Sequence, residues 1–276
     1  MVTAMMVAFD AQSTSTDKSP HKSEFITVNK VNLHYLDWGG KGETMLFLHG
    51  IGDTAHIFDD FAPKFTNQFR VLGLTRRGHG ESEVTDSGYD TATRVEDIRR
   101  FLDALHISRV VLVGFSASGG EVTMFAGKHP ERTIKAVYLD ALIDADGQPA
   151  LHRRVPPELR RAEDMALDSK RSRALELMAA EEAHTDYKKI KSPVLAFAVV
   201  GLPTNTVEHF KSLPEPSRKV IEDFLRQRKA VKDKETERFR MELPRARLVM
   251  FTNANHACFI DREADVLREM RKFLSP

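Results

Sequence analysis

The chain has 276 residues, a formal net charge of +1, 41% hydrophobic and 29% charged residues. That composition suits an ordinary globular chain of one or two domains, and near-neutrality gives no field favouring nucleic acid or an anionic membrane. The single cysteine, Cys258, excludes an intramolecular disulfide framework and a cysteine-based zinc cluster.

Residues 1–22 open apolar and pass into a Ser/Thr/Lys tract, read as a disordered arm. The apolar part is short and lacks a basic flank, so a signal remnant with a small-residue site near residues 8–11 is the alternative. A lone thiol fits a reducing compartment, and the cytoplasm is the expected location, with export following from the signal reading.

From residue 24 the pattern becomes regular. FITVNKVNLHYLDWGG alternates about Asn29 and Lys30, as a β-hairpin does. TMLFLHG is a continuous apolar run ending in glycine, typical of a strand buried on both faces. Residues 55–65 suit a short helix. FRVLGL is a second strand leaving into the Gly-rich loop TRRGHGES. Val95, Ile98, Phe101, Leu102 and Leu105 form a helical stripe. RVVLVG, IKAVYLDAL, SPVLAFAVVG and ARLVMFT supply four more strands, with a helix closed before Pro130 and an amphipathic helix, READVLREMRKFL, at the end. Residues 150–190 break the alternation, being polar and helix-prone, and a second helical stretch covers 214–242.

Buried strands alternating with helices predict an α/β fold around a mainly parallel sheet. Residues 23–276 read as one domain, with a helical cap at about 150–190 and a second insertion at about 205–242. The run RQRKAVKDKETERFR interleaves acids and bases, and Val220, Ile221, Phe224 and Leu225 give its helix an apolar side. A solvated helix face explains it better than a nucleic-acid surface.

The stretch RVVLVGFSASGG carries the strongest chemical signal. A serine set between glycine and small residues, after a buried strand and before a helix, has the form of a nucleophile elbow. Ser116 is centred in it. Ser118 stands where the pattern usually has glycine and reads as a small packing residue. Serine needs a base, and NANHACF puts His256 just after the last strand. The turn after LFLHG can aim the N–H of Ile51 at a developing oxyanion, with the N–H of Ala117 as second donor. His49 reads as an organiser of that turn. His49, His56 and His79 lack metal-binding spacing, so no metal is expected.

In this order HGIGD, RRGHGES, GFSASGGE, VYLDA and NANHACF resemble the α/β-hydrolase-fold superfamily over residues 24–274, closest to its serine esterase and haloperoxidase-like branch. The resemblance implies an eight-stranded, mostly parallel sheet, a cap after the sixth strand, a Ser–acid–His triad and no cofactor. Thr75 stands where such proteins usually carry an acid. Their triad carboxylate usually follows the strand that here ends at AFAVVG, but LPTNT follows and offers none before Glu208. Some relatives place it one strand earlier, in a Y-x-[DE]-A context. That makes Asp140 the first candidate, Asp144 the second and Glu208 the third.

The expected activity is hydrolysis of a small ester-like substrate through Ser116, Asp140 and His256. Leu159, Met165, Leu167, Leu175, Leu177 and Met178 of the cap are expected over Ser116, with Leu175 and Met178 lining the substrate pocket. Amide, lactone or C–C hydrolysis and perhydrolysis on the same triad remain open. So do a small-molecule binding protein on this fold and an interaction protein using the charged helix near residues 226–240. The expected partner is a small molecule, with no nucleic acid and no membrane; the oligomeric state is left open.

Overall fold

A computed structural model describes residues 19–142, 169–181, 186–200, 211 and 213–275. Eight strands form one sheet: β1 (Lys22–Val28), β2 (Val31–Gly39), β3 (Thr44–Leu48), β4 (Arg70–Leu74), β5 (Val110–Phe115), β6 (Thr133–Leu139), β7 (Val194–Val200) and β8 (Arg247–Thr252). Their order is β1-β2-β4-β3-β5-β6-β7-β8. β1 pairs with β2 and β2 with β4 antiparallel; every other pairing is parallel. The β1–β2 turn falls at Asn29 and Lys30, both with positive φ, as the alternation predicts.

β3 and β5 are buried at every position. A strand covered on both faces has no solvent side, so its sequence does not alternate. The described α-helices are α1 (Thr91–Ala104), α2 (Gly119–Lys128), α3 (Ser169–Ala180), α4 (Glu215–Glu242), α5 (Cys258–Asp261) and α6 (Glu263–Leu274). One core, with Ile98, Phe101 and Val122, lies under α1 and α2; the other, with Val266 and Met270, lies under α6 on the opposite face. None of the described helices is long and apolar enough to cross a membrane.

Three features differ from the sequence expectations. Residues 55–65 form two 3-10 turns, Ala55–Phe58 and Ala62–Phe65, rather than one helix. Pro63 supplies no N–H, and Phe58, Phe61 and Phe65 are all buried against Phe47 or Phe259. Pairing of β1 starts at Lys22, and Ser19 accepts a hydrogen bond from Trp38 Nε1 at 3.2 Å, so the last residues of the 1–22 tract are joined to the sheet. On α4, Val220 is 57% exposed whereas Ile221 is buried.

α3 lies between β6 and β7, and α4 between β7 and β8. Leu159, Met165, Leu167, Asp144 and Glu208 lie outside the described residues, as does most of the 1–22 tract.

Candidate active site

The last paired residues of β5 and β6 are Phe115 and Leu139, side by side in register. Ser116 and Asp140 each follow immediately. Both leave their strand with a left-handed backbone, φ 55° at Ser116 and φ 46° at Asp140. For a residue with a Cβ that conformation costs about 1–3 kcal/mol and persists only when its surroundings enforce it. At Asp140 the enforcement is visible: its N–H bonds Phe197 O at 2.9 Å and its Oδ1 accepts the N–H of Val199 at 3.0 Å. The turn that starts at Ser116 is tightly packed. A Cβ on Gly119 would sit 1.7 Å from Ala141 O, so only glycine lets α2 approach the β6 end this closely.

His256 stands on the loop between β8 and α5, its ring 4.8 Å from that of Phe115. Its Nε2 lies 2.7 Å from Ser116 Oγ and its Nδ1 lies 2.6 Å from Asp140 Oδ2. A carboxylate only accepts, so Nδ1 carries the proton and donates to Asp140. Nε2 then accepts from the Ser116 hydroxyl. The structure therefore brings Ser116, His256 and Asp140 into one hydrogen-bonded chain.

Burial pulls the His256 pKa below the ordinary 6.5, and this outweighs the hydrogen bond and charge of Asp140, which raise it; Lys232 and Arg228 lower it further. Burial would raise the Asp140 carboxyl, but the ammonium of Lys232 and the hydrogen bond from His256 outweigh it and hold the group well below the carboxylate range. These shifts favour an ionised Asp140 beside a neutral His256 near pH 7.

Gly50 borders the serine: a Cβ there would come 3.0 Å from Ser116 Cβ. The Gly50–Ile51 peptide consequently lies at the nucleophile candidate. His49 shapes this turn, as expected. Its Nδ1 donates to Gly50 O at 2.7 Å and its Nε2 accepts from Arg76 N–H at 3.0 Å. Ala117 follows Ser116 at the start of a 3-10 turn that runs into α2, where the first amides have no partner within the helix. His49 and His79 have their rings 4.8 Å apart, while His56 stacks on His34 and bonds Asp59, so the three do not converge on a common point.

Met178 is fully buried in a cluster with Tyr89 and Ala174, and Ile51 and Leu177 pack against it. Leu175, on the same helix, is half-buried.

Several residues were missed or undervalued by sequence reasoning. Ser118 is more than a packing residue. Its Oγ lies 2.9 Å from both Leu48 O and Phe115 O, linking the ends of β3 and β5. Thr75, in the place of the usual acid, accepts the N–H of Ala55 at 3.2 Å and bonds His34 Nδ1 at 2.9 Å. Glu121, on the first turn of α2, is buried and accepts from Arg76 at 2.7 Å and Arg94 at 2.9 Å. That pairing ties the helix behind Ser116 to the β4 loop. Lys232 of α4 reaches Asp140 with its Nζ 2.7 Å from Oδ1 and 2.6 Å from Oδ2. The only signal for it was its place on the stripe Ile221, Leu225, Arg228, Lys232, Glu235, Phe239, which follows the period of a helix face through charged residues.

The model of the alpha/beta hydrolase family matches residues 45–269, most of the chain. The chain belongs to the alpha/beta hydrolase family. It is 34% identical to a non-heme chloroperoxidase of Streptomyces lividans over 119 residues, 42% of this chain and 43% of that one. It is 27% identical to a 2-(acetamidomethylene)succinate hydrolase of Mesorhizobium japonicum over 135 residues, 48% of each. The matched regions thus span under half of these curated relatives. The crystal structure of an E-2-(acetamidomethylene)succinate hydrolase superposes with a TM-score of 0.66 at 18% identity, over 92% of this chain and 99% of that one. At that identity the likeness is one of fold. For this alpha/beta hydrolase family member, the eight-stranded, mostly parallel sheet implied by the motif resemblance is the one observed.

Proposed function

We propose that this alpha/beta hydrolase is a serine hydrolase acting on a small ester-like substrate through an acyl-enzyme. The observation that carries the reading is the hydrogen-bonded chain from Ser116 Oγ to His256 at 2.7 Å and from His256 to Asp140 at 2.6 Å. Ser116 Oγ attacks the substrate carbonyl while His256 Nε2 takes its proton. Asp140 holds the imidazole in the required tautomer and offsets the imidazolium charge. The N–H groups of Ile51 and Ala117 receive the oxyanion. His256 returns the proton to the leaving alcohol, and water then attacks the acyl-serine by the same route in reverse. No cofactor takes part. Half-buried Leu175 is the cap residue this reading assigns to the pocket wall; Met178, expected there too, is fully buried against Tyr89 and Ala174.

A second reading keeps the acyl-enzyme and replaces the attacking water by hydrogen peroxide, which releases a peracid and the free serine. The 34% identity to a chain named non-heme chloroperoxidase supports it. A panel of p-nitrophenyl esters of increasing chain length, run with and without peroxide, tests both. Ester turnover lost in Ser116→Ala is the expected result, and peracid formation in the peroxide arm selects the second reading. No turnover of any ester would overturn the ester assignment.

A further inference from the structure

The carboxylate of Asp140 is shared. Oδ1 accepts from Val199 N–H at 3.0 Å and from Lys232 Nζ at 2.7 Å; Oδ2 accepts from Lys232 at 2.6 Å and from His256 Nδ1 at 2.6 Å. The third ammonium proton of Lys232 is directed at Val199 O, 3.2 Å away. The Lys232 side chain is 17% exposed and that of Asp140 4%. An ammonium removed from water costs several kcal/mol unless paired, and three hydrogen bonds to one carboxylate and one carbonyl offset that cost. Lys232 can be directed at this point because α4 turns the stripe Ile221, Leu225, Arg228, Lys232, Glu235, Phe239 inward. Further toward the C-terminus Glu235 and Phe239 anchor the helix, Glu235 on the Tyr187 hydroxyl at 2.6 Å and Phe239 against the Tyr187 ring.

We propose that Lys232 is a positioning residue for the Ser116–His256–Asp140 chain: it fixes the Asp140 carboxylate and, by sharing its charge, sets the pH at which His256 is free to act as a base. The inference rests on the serine hydrolase reading. Three groups of opposite or like charge bear on His256: Asp140 from the β6 end, and Lys232 and Arg228 from α4. Arg228 and Cys258 also face Lys232; the buried Cys258 thiol, beside Asp140 and Asp261, is pushed up by its burial and stays neutral. With Lys232 in place the Asp140–Lys232 pair is close to neutral, so the imidazolium gains less from Asp140 and is repelled by the ammonium. Removing the ammonium raises the His256 pKa and moves the base out of its neutral form at mildly acidic pH.

The test measures the rate of Ser116 labelling by a fluorophosphonate against pH, which needs no substrate, in wild type, K232Q, K232M and K232R. K229Q serves as control, since exposed Lys229 pairs with Asp233 on the outer face of α4. In K232Q and K232M the ascending limb is expected to move up by about one unit, a roughly tenfold slower labelling below the limb. K232R and K229Q should keep the wild-type limb. Methionine keeps the aliphatic stem and covers the case in which the glutamine variant does not fold. NMR titration of the His256 ring in the same proteins reads the shift without any reaction. An unchanged limb and ring titration in K232Q or K232M, or an equal upward shift in K232R, overturns the role of Lys232. A wild-type protein that never labels at Ser116 overturns the hydrolase reading instead, and the ring titration then still decides whether Lys232 governs His256.

Discussion

Asp140 and His256 are separated by 116 residues of chain, yet a 2.6 Å hydrogen bond joins them at the C-terminal edge of the sheet. Parallel strands bring this about: β5 and β6 end in register, and the His256 loop follows β8 two strands away. Under the proposed mechanism Asp140→Asn removes the charge that stabilises the imidazolium and permits the wrong tautomer. The expected loss in kcat is about 10³–10⁴-fold near neutral pH. The same change strips buried Lys232 of its counter-charge, so a fall in stability of roughly 3 kcal/mol should accompany it. Steady-state kinetics and thermal unfolding of the one variant check both.

The pH profile follows from His256. Burial lowers its pKa from 6.5, ahead of the opposing effect of Asp140. In the proposed mechanism the base works in its neutral form, so a lowered pKa would extend activity toward acid. The midpoint of the ascending limb of kcat/KM is expected below pH 6.5, whereas a midpoint at or above that value would contradict the electrostatics of the site.

Ser118→Gly restores the small residue more usual at that place in the elbow but deletes the hydroxyl between Leu48 O and Phe115 O. Activity should persist, while stability falls by about 1–2 kcal/mol, the cost of leaving buried carbonyls less well bonded. Urea unfolding next to an activity assay separates the two effects; loss of activity without loss of stability would give Ser118 a chemical role.

Leu175 and Met178 should part company. Met178→Ala opens a void in a fully buried cluster and is expected to cost about 3 kcal/mol. Leu175→Ala, at a half-buried position, should leave stability within about 1 kcal/mol and alter acyl chain-length preference. An ester panel and thermal melts on both variants check this, and unchanged selectivity in Leu175→Ala would remove that residue from the pocket.

The parts of this molecule that were legible in the sequence are those where one physical demand dictates residue type. β3 and β5 must be apolar on both faces, so TMLFL and VVLVG read as buried strands. The close approach of α2 to the β6 end tolerates only glycine at Gly119, so the elbow shows as a string of small residues. Asp140 is a candidate only through the α/β-hydrolase resemblance, which implies an acid after one of two strands, and none follows β7 before Glu208. Lys232 was not legible as a partner of Asp140, because a charged residue on a helix reads as solvent-facing unless the opposite charge it meets is known. Asp140 is 92 residues away in the chain. The 3-10 turns at 55–65 escaped for a related reason: their phenylalanines fit a helical stripe, and the tighter winding is imposed by Pro63 and by packing on Phe47 and Phe259.

The central claim is that Ser116 is the nucleophile, and site-resolved labelling tests it most directly. Wild-type protein treated with a fluorophosphonate should carry one adduct, localised by fragmentation mass spectrometry to Ser116, and Ser116→Ala should carry none while unfolding at the wild-type temperature. An adduct on Ser118 or another serine, or undiminished labelling of the Ser116→Ala protein, would contradict the account.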